Sequence, residues 1–145
     1  MRVVLIGFIA LLVVPALDYR FGWSAVPPCG VIAGDILVAV GFLVIFRVYR
    51  ENTFTSARIE IAEDQKVSST GPYALVRHPM YAGVLLYLFG TPLALGSYWG
   101  FLAFAATTVF FIWRLFEEER FLSQKLPRYT EYCAAVRWRL IPGVF

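Results

Sequence analysis

The run Met80–Phe116, MYAGVLLYLFGTPLALGSYWGFLAFAATTVFFIWRLF, decides the fold, because Arg114 is its only charged residue. Gly96-Ser97 divides it into two apolar segments, Met80–Leu95 and Tyr98–Phe116, with almost no loop between them. That pattern predicts a tight helical hairpin. A helix that crosses a bilayer needs about 20 residues, with a range of about 17 to 25. Two more apolar segments lie upstream, Val3–Leu17 and Val31–Val48. The first and third segments are short by this rule, so each is expected to recruit flanking residues or to tilt. The fold class expected is an all-α integral membrane protein with about four transmembrane helices.

Composition agrees. Of the 145 residues 59% are hydrophobic and only 16% charged, against about 25% charged in a typical soluble domain. A soluble chain of this length could not bury so much apolar side chain. Arg2 before an apolar run has the flavour of a signal peptide, but Pro15-Ala16-Leu17-Asp18 is a poor cleavage site and more apolar segments follow. A retained first helix is the better reading.

With four spans, the Asp18–Gly30 loop and the Gly96-Ser97 turn share one side, and both termini and the Glu51–His78 connection share the other. All Lys and Arg residues except Arg20 fall on the second side. The positive-inside rule makes that side cytoplasmic. The expected location is a bacterial inner (plasma) membrane. Cys29 and Cys133 then lie at opposite ends, which rules out a disulfide between them, and no spacing supports a zinc site. One histidine cannot build a metal site with visible partners, so no metal is expected.

The polar residues gather in the loop and in the tail Glu117–Phe145. Tail apolar residues from Phe121 to Ile141 recur at roughly helical spacing, which predicts an amphipathic helix on the membrane face or capping a site. Ala57–Ile61 alternates and suits a short extended piece. Loop and tail are expected to fold together over the helix ends. Basic residues interleaved with aromatics would suit nucleic acid, but their juxtamembrane placement explains them better, and no nucleic-acid partner is expected.

Two clusters flank the opening run. The first is Gly71-Pro72-Tyr73-Ala74-Leu75-Val76-Arg77-His78-Pro79-Met80-Tyr81-Ala82-Gly83. Proline suits the first helical position, and the residue before it is pushed out of helical geometry, so His78 reads as a cap. A helix start offers unpaired N–H groups to a carboxylate or phosphate. Tyr81 lies on the same face as His78, and Arg77 adds a fixed charge. The same residues also suit a plain helix start in an aromatic belt. The second cluster is Arg114 with Glu117-Glu118-Glu119. Arg114 and Glu118, four apart, share a face and can pair or bracket one ligand. Acids at a helix C-terminus oppose the dipole, so a cationic partner is expected. Asp35, inside the second span, is an intramembrane carboxylate and so a site candidate by position, but it lies close to the outer boundary, where interfacial or helix–helix hydrogen bonding is the better reading. No GxGxxG or P-loop pattern occurs.

At these clusters the chain resembles the isoprenylcysteine carboxyl methyltransferase family and its relative, phospholipid N-methyltransferase. The resemblance rests on Gly71-Pro72-Tyr73, Arg77-His78-Pro79-Met80-Tyr81-Ala82-Gly83, Glu118-Glu119 with Leu122, Tyr129-Thr130-Glu131-Tyr132 and Arg137–Gly143. It covers about Asn52 to the C-terminus. It implies a membrane methyltransferase using S-adenosylmethionine, released as S-adenosylhomocysteine, with the cofactor on the cytoplasmic face. Carried over by position, Gln65, Lys66, Val67, Ser68, Tyr73, His78, Pro79, Met80 and Tyr81 would line the cofactor pocket. Glu118 would bind the cofactor, and Arg114 would face the methyl acceptor. The acceptor implied is lipophilic: prenylcysteine-like, an isoprenoid carboxylate or a thiol. A phospholipid or lipid amine is the alternative, and a non-catalytic lipid-binding module is the reading from another class. Membrane lipids are expected partners. Residues 1–145 would then form a single methyltransferase domain, with 1–50 as an N-terminal helical hairpin and 51–145 as a catalytic core.

Overall fold

Prolines and glycines set the helix limits. A computed structural model describes residues 2–51 and 69–145. Helix α1 spans Arg2–Phe21 and ends at Gly22, whose φ of 64° lets its N–H reach back to the Asp18 carbonyl at 2.7 Å. Helix α2 spans Pro28–Glu51 and α3 spans Pro79–Ala94, each with proline at its first position. Gly96 (φ 70°) turns the chain after α3, and α4 runs over Gly100–Lys125. A short α5 spans Tyr129–Ala135. A single 3-10 turn, Gly71–Ala74, precedes α3.

The described residues form an all-α membrane protein. Three helices, α1, α2 and α4, are long and apolar enough to cross a bilayer. The first apolar segment does recruit flanking residues, reaching 20. The third does not: α3 has 16 residues, about 24 Å of helix. It nevertheless runs between the same two ends as its longer partners.

Close backbone approach explains how α3 is held. It packs antiparallel along α2 through two glycine pairs, Gly34 with Gly90 and Gly41 with Gly83. A Cβ added at Gly90 would lie 2.8 Å from the Gly34 carbonyl oxygen, and one at Gly41 would lie 2.9 Å from that of Gly83. In lipid, burial from water does not drive helices together, so small residues that admit dense backbone packing do. Helix α1 instead packs against α4, with Gly7 against Thr107. A core of Leu11, Tyr81, Leu88, Ala103, Phe111, Leu115 and Leu140 joins α1, α3, α4 and the tail.

The two ends differ. Arg20 lies at one, beside the aromatic group Phe21, Trp23 and Trp99. There the Asp18 carboxylate, wholly buried, accepts from Ser24 N at 2.7 Å, Ser24 Oγ at 2.5 Å and Ser97 Oγ at 2.5 Å. It ties the α1–α2 loop to the α3–α4 turn. The remaining described basic residues gather at the opposite end. The tail there is not one amphipathic helix. Helix α4 continues to Lys125, Arg128 adopts a left-handed φ of 66° after Pro127, and only α5 follows as regular structure. Proline cannot continue the helix, and the chain turns back instead of running on. Leu126, Tyr129, Tyr132 and Val136 form a second small core in that turn. The expected extended piece at Ala57–Ile61 lies outside the described residues.

Candidate functional site

The approach to α3 is built in three steps. First, the Thr70 hydroxyl hydrogen-bonds Glu51 at the end of α2, and Gly71 (φ 56°) sits against that same carboxylate, where a Cβ would come within 2.8 Å of its carbon. Second, Tyr132 on α5 donates its hydroxyl to the Tyr73 carbonyl at 2.8 Å. Burial pushes the Tyr132 phenol well above its ordinary pKa, so it stays protonated and able to donate. Third, Arg77 and His78 pair with the tail, Arg77 N donating to the Trp138 carbonyl at 2.8 Å and His78 N to that of Arg139 at 2.9 Å. Proline at 79 disfavours helical geometry at His78 (φ −124°, ψ 62°), which stands at the N-cap position of α3 while its N–H goes to the tail.

Two carboxylates on consecutive residues of α4 then face this assembly. Glu118 accepts from the Tyr81 hydroxyl at 2.5 Å, and that hydroxyl accepts from Arg114 Nε at 3.0 Å. Arg114 and Glu118 thus bracket a tyrosine. Glu119 meets three groups: Arg77 Nη1 at 3.1 Å, His78 Nε2 at 3.2 Å and Arg139 Nε at 3.0 Å. The Arg139 guanidinium also stacks over Phe116 and Phe145 at 5.5 and 5.3 Å. The His78 and Tyr81 rings, 5.6 Å apart, join the two halves.

Of the residues singled out from sequence, the fold brings together His78, Pro79, Tyr81, Arg114 and Glu118. Met80 is half-buried in the same first turn of α3. Tyr73 sits in the preceding 3-10 turn, held by its carbonyl. Gln65, Lys66, Val67 and Ser68 lie outside the described residues. Sequence reasoning placed Glu119 in the acid cluster and Arg139 in the closing stretch but gave neither a role in the site. The run of three acids signalled a cationic partner, but nothing local said that the partner would arrive from the tail, 20 residues on.

What can this arrangement hold? Among the described residues, Arg77 Nε is buried with no hydrogen-bond partner. The first turn of α3 presents N–H groups that have no partner within the helix. Beside them stand Glu118 and the Arg114 guanidinium. The site therefore offers donors for an anionic group and a carboxylate for a cationic one.

Residues 29–128, from the start of α2 to the start of α5, match the family model for phospholipid methyltransferase. The chain belongs to the phospholipid methyltransferase family. No curated protein matches it. Members of this family are membrane methyltransferases that generally use S-adenosylmethionine. The match spans the start of α3 and the Arg114–Glu119 stretch, and leaves outside it Asp18 and Ser24, Tyr132, and the tail residues that meet Arg77, His78 and Glu119.

Proposed function

We propose that this protein transfers a methyl group from S-adenosylmethionine to a lipophilic acceptor at the basic, cytoplasmic end of the helices. The observation that carries the proposal is the Arg114–Tyr81–Glu118 chain, which joins two clusters 33 residues apart beside the capped start of α3. S-adenosylmethionine carries a carboxylate, an amino group and a methylated sulfonium, and the site offers a counterpart to each charge. It supplies an electrophilic methyl group when bound.

The protein's own residues do the positioning. The α3 start and Arg77 suit the carboxylate, as helix N-termini and guanidinium groups do generally. Glu118 offsets the cationic part, and the Tyr81 hydroxyl keeps Glu118 and Arg114 in register. Arg114 is placed to orient an acceptor carboxylate or phosphate. Methyl transfer is an in-line displacement at carbon, so alignment and exclusion of water carry most of the rate. Acceptor deprotonation is the only proton transfer required.

The acceptor class favoured by Arg114 is an anionic one, a prenylcysteine-like or isoprenoid carboxylate, or a thiol. The family match favours a second reading, a phospholipid amine. Purified protein in lipid vesicles, given methyl-labelled cofactor and a lipid extract, should move label into the lipid fraction. Loss of transfer in Arg114→Ala with cofactor affinity retained supports the acceptor role of Arg114. Absence of any transfer by folded wild-type protein that binds no cofactor overturns the proposal. The mass of the labelled product separates an ester from a thioether or an N-methyl amine.

A further inference from the structure

The tail meets Glu119 through a loop that closes on itself, residues 139–145. The chain turns at Gly143, whose φ of 82° suits glycine. The N–H groups of Arg139, Leu140 and Ile141 then converge on the Phe145 main-chain oxygen at 2.9, 2.8 and 3.0 Å. Successive N–H groups arranged in this way form a concave nest for an oxygen atom. Leu140 is buried in the core shared with α1, α3 and α4, which ties the loop to the bundle. With its oxygen seated in the nest, Phe145 lays its ring against the Arg139 guanidinium, at the residue where the loop begins.

Arg139 carries the contact from this loop to Glu119. Its side chain is 32% exposed, and a long side chain that open to solvent samples many rotamers unless packing removes them. Two rings supply the packing. Phe116 on α4 and Phe145 meet edge to face, 6.3 Å apart, and the guanidinium lies over both. Phe116 and Glu119, three residues apart on α4, share a face. Held there, Arg139 Nε donates to Glu119 Oε2 at 3.0 Å. The other oxygen, Oε1, meets Arg77 Nη1 at 3.1 Å and His78 Nε2 at 3.2 Å. One carboxylate oxygen is thus pinned from the tail, and its twin is left turned toward the start of α3.

We propose that Phe145 is a positioning residue for the methyl-transfer site. Its ring locks Arg139, Arg139 sets the rotation of the Glu119 carboxylate, and Glu119 holds His78 and Arg77 beside the start of α3. This role rests on the function proposed above, whose cofactor site it serves. The face of the ring matters beyond its bulk, because a guanidinium is attracted to an aromatic face. The main-chain carbonyls of Trp138 and Arg139 take the backbone N–H groups of Arg77 and His78 without help from any side chain. Loss of the ring therefore leaves the fold in place and frees the side chains at the site.

The test titrates S-adenosylmethionine calorimetrically into the full chain in detergent and records the unfolding midpoint of each variant. Phe145→Leu should weaken binding about three- to tenfold, the range of one cation–π contact. Phe145→Tyr, which keeps the aromatic face, should bind as wild type does. Arg139→Gln combined with Phe145→Leu should bind no more weakly than Arg139→Gln alone, because Phe145 acts through Arg139. A second readout needs no cofactor. His78 is the chain's one histidine, so nitrogen-15 histidine labelling reports its ring directly. Its imidazole resonances should move the same way in Phe145→Leu and Arg139→Gln and stay in place in Phe145→Tyr. An unmoved His78 signal in folded Phe145→Leu overturns the proposal, and so do additive losses in the double variant. Equal effects of Phe145→Leu and Phe145→Tyr overturn it as well. If wild type binds no cofactor while the His78 signal moves as stated, the clamp on His78 stands and the methyl-transfer reading is what fails.

Discussion

Asp18 and Glu119 close opposite ends of the same bundle, and they are satisfied in opposite ways. Asp18 is sealed from solvent and accepts from two serine hydroxyls and a backbone N–H. Every donor there is neutral and fixed by a loop, so the carboxylate works as a staple with nothing left over. Glu119 accepts from two guanidinium groups and an imidazole while its side chain keeps 13% exposure. Two of its partners are guanidinium groups, one of them with a buried Nε that has no hydrogen-bond partner among the described residues, and its neighbour Glu118 faces a tyrosine held by another arginine. A closed, neutral cluster holds a fold together. An assembly with a spare buried donor and an acceptor that solvent still reaches can also hold something else.

The comparison breaks most visibly at Glu119. Glu119→Ala leaves Arg77, His78 and Arg139 facing one another without an anion, and removing one partner from a buried pair costs about 3–5 kcal/mol. Loss of that order in detergent unfolding is expected, and Glu119→Asp should recover part of it. An unchanged unfolding midpoint would mean that the three contacts are incidental. Asp18→Ala should cost less, about 1–3 kcal/mol for the stranded serine and backbone donors. Cofactor affinity should be untouched at a site on the far side of the bilayer. A drop in affinity matching the loss in stability would merge the two ends into one functional unit.

Packing gives a third contrast, between α2–α3 and α1–α4. Gly41→Val forces the α2 and α3 backbones apart, and overpacking of this kind costs about 1–3 kcal/mol. Enlarging Gly7 should be milder, because a Cβ there meets a threonine side chain, 2.6 Å from its hydroxyl, rather than backbone. Equal costs at Gly41 and Gly7 would show that backbone proximity is not what holds α3. The smallest effect expected is at Tyr81. Tyr81→Phe removes one hydrogen-bonding hydroxyl and should cost about 1 kcal/mol, yet shift methyl-transfer rate more than stability. A rate equal to wild type would remove Tyr81 from the positioning chain.

How much of this was legible in the sequence follows from chain separation. The apolar runs, the Gly96 turn and the Pro79 helix start are local signals, and each appears where its residues place it. The shared face of Arg114 and Glu118 is likewise a matter of four-residue spacing, though only the fold shows Tyr81 standing between them. Asp18 was hidden because its Ser97 partner lies 79 residues away. Arg139 was hidden because the tail reverses at Pro127 and Arg128, where spacing alone suggested a continuing helix. The Gly34–Gly90 and Gly41–Gly83 pairs share a seven-residue spacing on both helices, yet that spacing says nothing of which helix meets which. Residues 65–68, carried over from the resemblance, stand as a proposal.

The central claim is that Glu118 and the α3 start hold S-adenosylmethionine. Calorimetric titration of S-adenosylmethionine into detergent-purified protein tests it most directly, with Glu118→Ala measured beside wild type. Saturable binding by wild type, weakened at least about tenfold in Glu118→Ala, about 1.4 kcal/mol, is the result expected. Equal affinity in the two proteins, both folded, would contradict the account.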